Sequence, residues 1–200
     1  MAEIILATMN RNKVREIAEI IHPIIVKSLA DLKIELNLDA VEDGNTYIEN
    51  AAKKVRKVAE RISGIVVADD SGIEVDVLGG LPGIQSARFG GENLTDRERC
   101  ELLLNKLKET PQGERQARFV CVAVALFSDG KLEAFTGTCD GIIAPAPAGK
   151  SGFGYDPVFF IPELGKTMAE LPPGEKHLVS HRGIAFRKLR DYLLTKLVRF

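Results

Sequence analysis

A short apolar run that ends on two adjacent acids constrains the fold of this chain more than any other feature. The run Ile65–Ala68 is mostly β-branched, and Asp69, Asp70, Ser71 and Gly72 follow it directly. This composition is typical of a strand that is covered on both faces of a sheet. Ligands of open α/β sheets bind beyond the carboxyl ends of such strands. We therefore expect the strand to end at the acids and to place them in a site.

The amino-terminal third of the chain predicts strands alternating with helices. Ile4–Ala7 is the first predicted strand, Thr8–Lys13 is a turn, and apolar residues at helical spacing continue from there to Pro23. The remaining predicted elements before the long β-segments are a strand at 24–26, a helix at 46–62, a segment at 73–78 that could return from the strand of the opening run, and a helix at 94–108 that begins with a Thr95–Glu98 capping box.

Two long β-segments, Ala117–Phe127 and Leu132–Ile143, are joined by the turn residues Ser128–Lys131 and predict a hairpin. A strand over Val158–Ile161 and a last helix from about His181 follow them. Because a parallel strand-helix start is combined with a hairpin, we expect an α/β fold with a mixed sheet and helices packed on it. One domain over residues 1–200 is predicted, in which the hairpin region could form a second lobe.

Composition excludes several classes of protein. The 200 residues are 45% hydrophobic and 28% charged, and 27 basic side chains nearly balance 28 acidic ones. No overall field therefore attracts a nucleic acid polymer or an anionic membrane, although a small anionic ligand is compatible with local basic clusters. Three widely spaced cysteines without a C-x-x-C pair predict buried, reduced thiols. The sequence shows neither a signal peptide nor a long apolar run, so we expect a cytoplasmic protein.

The turn Thr8–Lys13 is a candidate anion site. It lies between a strand and the start of a helix, where free backbone N–H groups and the positive end of the helix dipole would face an anion, and Lys13 adds a full charge. The turn lacks the glycines of the Walker motif and of the dinucleotide fingerprint. An ordinary loop is the alternative.

The two acids also have two interpretations. One acid caps the following turn while the other is solvated, as Asp-Ser-Gly sequences often do. Alternatively, Asp70 holds Mg²⁺ or activates water, because hard cations prefer carboxylate oxygens. Glu42 could supply a second carboxylate.

A glycine-rich loop at Gly149–Pro157 contains two aromatic rings, Phe153 and Tyr155. Its backbone can approach a ligand closely and either ring can stack on a planar base, or the rings can simply fill the core. Lys176 and the segment Ser180–Gly183 add cations before the last helix, which suits either a solvated surface or contacts with a phosphate or base.

Taken together, five motifs in this order make the chain resemble the inosine/xanthosine triphosphate pyrophosphatase family. The motifs extend from residue 6 to about residue 187 and are Leu6–Lys13, Ala68–Gly72, Pro82–Arg88, Gly152–Pro157 and Ser180–Gly183. The resemblance implies a homodimeric, Mg²⁺-dependent hydrolase that splits dITP, ITP and XTP into the monophosphate and pyrophosphate and so removes them from the nucleotide pool. It also implies a long mixed sheet as a platform, flanked by helices, and two lobes with a nucleotide cleft between them.

The resemblance also implies roles for individual residues. Asp70 would be the catalytic carboxylate, and Asp70 and Glu42 the metal ligands. Lys13 and Lys54 would be catalytic cations that take up charge on the leaving pyrophosphate. The substrate-binding residues would be Thr8, Met9, Asn10, Arg11, Asn12 and Lys13 for the triphosphate, Phe153, Gly154, Tyr155 and Asp156 for the base, and Lys176, His181 and Arg182 for base and phosphate. Ser71 would be a further substrate contact.

The chain departs from many relatives at Met9, where they have glycine, and at Arg11, where they have small residues. Two related enzyme classes fit less well. The septum-formation type of nucleotide pyrophosphatase has an amino-terminal Ser-x-Ser-x-Arg pattern that this sequence lacks, and aspartyl-phosphate phosphatases need D-x-D rather than adjacent acids. A silent nucleotide-binding module is the alternative from a different class, and retention of Lys13, Lys54 and Asp70 argues against it.

Overall fold

The computed structural model of the chain describes residues 3–197. Within them, seven strands and five α-helices follow one another as β1 (Glu3–Leu6), α1 (Arg11–Ile20), β2 (Ile25–Ser28), α2 (Tyr47–Ala59), β3 (Val66–Val75), α3 (Asp96–Lys106), β4 (Gln116–Leu126), β5 (Leu132–Ile143), β6 (Phe159–Ile161), β7 (Lys166–Thr167), α4 (Pro173–Val179) and α5 (His181–Leu197).

The seven strands form one mixed sheet in the order β2-β1-β3-β4-β5-β6-β7. Strand β1 pairs in parallel with β2 and with β3, so that Ile5 lies opposite Lys27 on one side and Val66 on the other. Strands β5, β6 and β7 pair antiparallel. The predicted α/β fold with a mixed sheet is confirmed.

The chain divides into two compact units. The first comprises the chain up to Asp70, Cys121–Gly137 and the chain from His181 on, and the second comprises Ser71–Val120 and Thr138–Ser180. Each unit has its own apolar core, built around Ile4, Ile17 and Phe186 in the first and around Leu103, Phe159 and Met168 in the second. A single domain over residues 1–200 and a nucleotide cleft between two lobes stay predictions.

Helix α1 is confirmed, but it begins at Arg11, inside the segment predicted as the preceding turn. The Asn10 side chain caps its first turn, Ile17 and Ile20 are buried on its inner face, and Pro23 follows its last turn. The capping box of Thr95 and Glu98 at the start of α3 is also confirmed. The predicted hairpin turn is closed by a hydrogen bond of 2.9 Å from the Phe127 N–H to the Lys131 carbonyl.

Strand β3 differs from the prediction, because it neither ends at the acids nor returns from them at 73–78. It continues through Asp69 and Asp70 to Val75, and both acids are buried. Aspartate is unfavourable in a buried strand unless its charge is compensated, and lysine and arginine side chains compensate it here. Beyond the acids, Ile73 and Val75 are fully buried and stabilise the rest of the strand.

All three cysteines are free thiols and buried, as predicted. Burial raises the pKa of the Cys100 and Cys139 thiols to about 12. No helix within residues 3–197 combines the length and the apolar character that crossing a membrane requires.

Candidate active site

A buried ammonium group lies at the centre of a charged cluster in the first unit. The Lys54 Nζ is 2.8 Å from Glu42 Oε1, 2.7 Å from the Asp69 carbonyl oxygen and 3.4 Å from Asp70 Oδ1. Lys54 itself is only 4% exposed. The ammonium therefore bridges the two carboxylates, Glu42 and Asp70, that the sequence suggests as metal ligands.

Helix α2 positions Lys54 through its buried face. Thr46 caps the helix by accepting the Glu49 N–H at 3.2 Å. The buried residues then recur at helical spacing, and two of them, Asn50 and Lys54, are polar and stand one turn apart. Both side chains contact Asp70, so one turn of α2 supplies two partners to the same carboxylate.

Asn50 orients Asp70 by using both ends of its amide. Its Nδ2 donates to Asp70 Oδ2 at 3.0 Å, and its Oδ1 accepts the Gly44 N–H at 2.8 Å. A Cβ on Gly44 would lie 2.7 Å from that Oδ1, so the close approach requires glycine. Gly44 lies two residues after Glu42, and the same amide therefore connects the segment of Glu42 with the carboxylate of Asp70.

Asp69 has a separate set of partners. Its Oδ2 is 2.9 Å from Lys13 Nζ and 3.4 Å from the Arg182 guanidinium, and that guanidinium also lies 3.0 Å from Glu16 Oε2. The Cys121 thiol lies 3.8 Å from the same oxygen. This buried network joins β3 to the first turns of α1 and α5.

The adjacent acids consequently differ in electrostatics. Burial would raise the pKa of Asp69, but Lys13 and Arg182 outweigh it and hold that pKa far below its usual range. Burial raises the pKa of Asp70, although Lys54 and Lys13 oppose the shift. Burial also disfavours the charge of Lys54, but the carboxylates of Asp70, Glu42 and Asp69 together outweigh it and raise the pKa of Lys54.

The donor set of this cluster fits a hard divalent cation. The cluster has one more carboxylate than cationic side chains. Its carboxylates are those of Glu16, Glu42, Asp69 and Asp70, and its cations are Lys13, Lys54 and Arg182. Within residues 3–197 no group of three or more His, Cys, Asp or Glu side chains forms a complete metal cage. Mg²⁺ suits two carboxylates, Glu42 and Asp70, because it usually takes its other ligands from water and substrate phosphates. Asp69 Oδ1 is buried, and it has no hydrogen-bond partner among the described residues.

The predicted phosphate turn is more closed than the sequence indicates. Asn10 Oδ1 accepts the N–H groups of Asn12 and Lys13 at 2.9 and 3.2 Å, and Thr8 Oγ1 accepts the Asn10 N–H at 3.2 Å. The expectation that these N–H groups are free is therefore wrong, and an anion must compete with the Asn10 cap. Met9, Asn10, Arg11 and Asn12 are exposed.

In the second unit, the glycine-rich loop surrounds a buried carboxylate. Asp156 Oδ2 accepts the Phe153 N–H at 2.9 Å and lies 2.5 Å from Lys176 Nζ. The same Nζ is 5.1 Å from the centre of the Phe153 ring. A Cβ on Gly152, whose φ is +76°, would lie 2.0 Å from Asp156 Oδ2. Glycine at this position therefore permits the turn and leaves room for the ion pair.

Tyr155 belongs to the core of the second unit. Its ring is buried in the apolar cluster, its hydroxyl donates to the Ser86 carbonyl at 2.8 Å, and burial raises the pKa of that hydroxyl. Of the two predicted uses for this ring, the structure therefore favours core packing over stacking on a base. Phe153 is only half-buried.

The structure brings the predicted site residues together in two groups. The first unit contains Thr8–Lys13, Glu42, Lys54, Asp70, His181 and Arg182, and the second contains Ser71, Phe153–Asp156 and Lys176. Sequence reasoning missed Glu16 as the partner of Arg182 and Asn50 as the partner of Asp70. For Glu16 the signal was present, since an acid stands directly beside Ile17 on the apolar face of α1.

The sequence is similar to a known family over nearly its whole length. Residues 4–192 match the model of the Ham1 family. A relative from Geobacillus kaustophilus named dITP/XTP pyrophosphatase is 46% identical over 193 residues, which cover 96% of this chain and 94% of the relative. A relative of the same name from Escherichia coli O157:H7 is 47% identical over 197 residues, covering 96% of this chain and 98% of the relative.

Solved structures agree with this similarity. The Staphylococcus aureus Ham1 protein superposes with a TM-score of 0.85 at 40% identity and covers 97% of this chain and 99% of its own. A HAM1 protein from Coxiella burnetii gives 0.85 at 36% identity, with 98% and 100% covered. Since sequence and fold agree over almost the full length of each protein, the chain belongs to the Ham1 family.

Proposed function

We propose that the protein hydrolyses noncanonical purine nucleoside triphosphates, namely dITP/ITP and XTP/dXTP, to the nucleoside monophosphate and pyrophosphate, and thereby removes them from the nucleotide pool. Relatives named dITP/XTP pyrophosphatase, 46% and 47% identical to this chain, support the substrate class. The observation that carries the chemistry is the buried Lys54 ammonium between Glu42 and Asp70.

In this proposal Glu42 and Asp70 hold Mg²⁺. The bound cation supplies charge neutralisation at the phosphates and makes water a better nucleophile. Asp70 orients the attacking water and accepts its proton at a carboxylate oxygen, a role that suits a carboxylate whose pKa burial has raised. Asn50 keeps that carboxylate in one orientation through its hydrogen bond to Oδ2.

The remaining charges of the first unit act on the triphosphate. Residues 8–12 and Lys13 bind it, and Lys13 and Lys54 stabilise the negative charge that builds on the departing pyrophosphate. Lys13 has only one ion-pair partner among the described residues, Asp69, and its side chain is 15% exposed, so it can turn part of its charge toward a phosphate. His181 and Arg182, at the start of α5, add further base and phosphate contacts.

The base is recognised by the loop of the second unit. Phe153, Gly154, Asp156 and Lys176 face it, with Ser71 as a further substrate contact, while Tyr155 contributes by anchoring the loop in the core. A hydrogen-bond donor of the protein that faces the 6-oxo group of hypoxanthine or xanthine would face the 6-amino group of adenine, which is also a donor. Guanine keeps the 6-oxo group but adds a 2-amino group that the site must accommodate. Buried polar groups left unpaired by the wrong base discriminate strongly.

A panel assay tests this function. Purified protein is incubated with Mg²⁺ and dITP, ITP, XTP, dGTP, ATP and a modified pyrimidine triphosphate, and pyrophosphate and orthophosphate are measured separately. We expect pyrophosphate as the primary product and the highest kcat/KM on dITP, ITP and XTP. Orthophosphate as the primary product would contradict the proposal, as would a preference for the modified pyrimidine. Nucleotide binding without turnover would indicate the silent module instead.

We also propose that the active form is a homodimer in the cytoplasm, on the basis of the family resemblance. Light scattering of the purified protein should then give twice the 21.9 kDa of one chain. A mass equal to one chain at working concentration would contradict the dimer and leave the proposed chemistry untouched.

A further inference from the structure

Helix α3 holds both peptide groups of Gly154, the residue in the middle of the loop around Asp156. The Gly154 N–H donates to Asp96 Oδ2 at 2.7 Å, and the Gly154 carbonyl accepts from Cys100 Sγ at 3.4 Å. Asp96 and Cys100 are four residues apart and so lie on the same face of α3. One helix face therefore fixes the backbone of the loop on both sides of a single Cα.

The Asp96 carboxylate is not needed to begin α3. Thr95 and Glu98 form the capping box there, with Thr95 Oγ1 accepting the Glu98 N–H and Glu98 Oε2 accepting the Thr95 N–H. The ion pair of Asp96 with Arg99 is long, at 3.9 Å, and the Asp96 side chain is 56% exposed. Its contact with the Gly154 N–H is thus shorter than its ion pair, and a carboxylate acceptor makes that contact strong.

The orientation of Gly154 decides where its neighbours point. Gly154 has φ +61°, a conformation that costs glycine little. On one side of it, Phe153 presents its N–H to Asp156 and its ring to Lys176. On the other side, Asp156 accepts that N–H and pairs with the Lys176 ammonium. A rotation of the Gly154 peptide would therefore disturb the Phe153 ring and the Asp156 carboxylate together.

We propose that Asp96 is a positioning residue for substrate base recognition, acting through the Gly154 N–H to fix the segment Phe153–Asp156. The proposal rests on the function proposed above, in which this segment contacts the base. Asp96 itself touches no substrate in this proposal. Its contribution is to hold the loop in its binding conformation before the nucleotide arrives, so that binding does not have to order the loop.

Three variants separate positioning from mere stability. Asp96→Ala removes the acceptor, and we expect the KM for dITP to rise about tenfold, the size expected for one charge-assisted hydrogen bond, with kcat within about twofold. Asp96→Asn keeps a carbonyl oxygen for the Gly154 N–H and should restore the KM to within about threefold. Glu98→Ala is the matched control, since it breaks the capping box of the same helix turn, lowers Tm and should leave the KM within about twofold.

The proposal is overturned if Asp96→Ala keeps the wild-type KM, if Asp96→Asn is as impaired as Asp96→Ala, or if Glu98→Ala raises the KM equally. Hydrogen exchange gives a readout that does not depend on activity. The Gly154 amide should exchange about tenfold faster in Asp96→Ala and at the wild-type rate in Glu98→Ala. If the wild-type protein hydrolyses no noncanonical nucleotide, the proposed function fails, and the role of Asp96 in base recognition fails with it. The contact between Asp96 and Gly154 is tested separately, and unchanged exchange of the Gly154 amide in Asp96→Ala refutes it.

Discussion

Asp69 and Asp70 are adjacent in the chain and of the same chemical type, yet their surroundings give them different tasks. The Asp69 side chain is 0% exposed and faces two cations, Lys13 and Arg182. Asp70 shares one ammonium with Glu42, and burial raises its pKa. The first carboxylate is thus a fixed counter-charge, and the second is the one whose charge is available for a metal or a water.

Asp70→Asn should remove catalysis and leave the fold intact. Asparagine keeps the shape and one oxygen, but it cannot accept the proton of an attacking water, so we expect turnover of dITP to fall on the order of a hundredfold or more. Steady-state pyrophosphate release, together with a denaturation curve of the same preparation, measures both properties. Turnover near the wild-type value would refute the assignment of Asp70.

Asp69→Asn is the matched variant with the opposite expectation for stability. It removes the buried carboxylate that Lys13 and the buried Arg182 share, and breaking a buried ion pair in this way costs about 3–5 kcal/mol of unfolding free energy. Urea denaturation should show a much larger loss for Asp69→Asn than for Asp70→Asn. Equal losses would mean that the two acids are not divided into structural and chemical roles.

The backbone of helix α5 packs directly against the backbone of strand β5 at Gly137. A Cβ added at Gly137 would lie 2.2 Å from the His181 carbonyl oxygen and 2.6 Å from the Ala185 nitrogen. The first turn of α5 therefore lies directly on the strand, and this turn also carries Arg182. The close approach fixes how near the guanidinium stands to Asp69.

Gly137→Ala should consequently weaken both packing and chemistry. Forcing the helix away from the strand costs about 1–3 kcal/mol, and the displacement of Arg182 should lower turnover as well. Gly113→Ala is the control, because nothing lies within 4 Å of its added Cβ, and its stability should stay the same or rise by about 0.4–1 kcal/mol. A Gly137→Ala protein as stable as Gly113→Ala would contradict the close contact.

The sequence predicted those elements whose signals are local. Helix α1, the capping box of α3 and the hairpin turn depend on residues a few positions apart, and all three are confirmed. The predicted strand end at Ala68 is wrong, because the continuation of β3 through the acids depends on cations that come from distant parts of the chain. The short elements α4 and β7 were not predicted. They have seven and two residues, too few to show a periodic pattern of apolar side chains.

The candidate site, too, was predictable only where its signal is local in the sequence. The residue types at Lys13, Lys54 and Asp70 could be selected from motifs, but their partners could not. Asn50 meets Asp70 across 20 positions of sequence and Glu16 meets Arg182 across 166, so these pairs exist only once the fold brings them together. The closure of the Thr8–Lys13 turn by Asn10 was accessible in principle, because asparagine is among the strongest N-cap residues.

For the molecule as a whole, the charge cluster has only one carboxylate more than its cationic side chains, four against three, so its residues compensate one another's charge largely without a metal. Removal of Mg²⁺ with EDTA should therefore abolish pyrophosphate release while Tm changes by no more than about 2 °C, the shift expected for a weakly held ion. Turnover should return when Mg²⁺ is added back. A fall in Tm of about 10 °C or more would mean that the cation supports the fold itself.

The first unit is assembled from three separate stretches of chain, and this sets the order in which the protein can mature on the ribosome. The carboxylate of Asp69 is made early, but its partner Arg182 follows 113 residues later. Until that arginine has emerged, only Lys13 of the two cations can compensate the charge of the buried acid. The charge cluster is therefore completed only after Arg182 has been made, and a chain released before that point lacks one of the two counter-charges of Asp69.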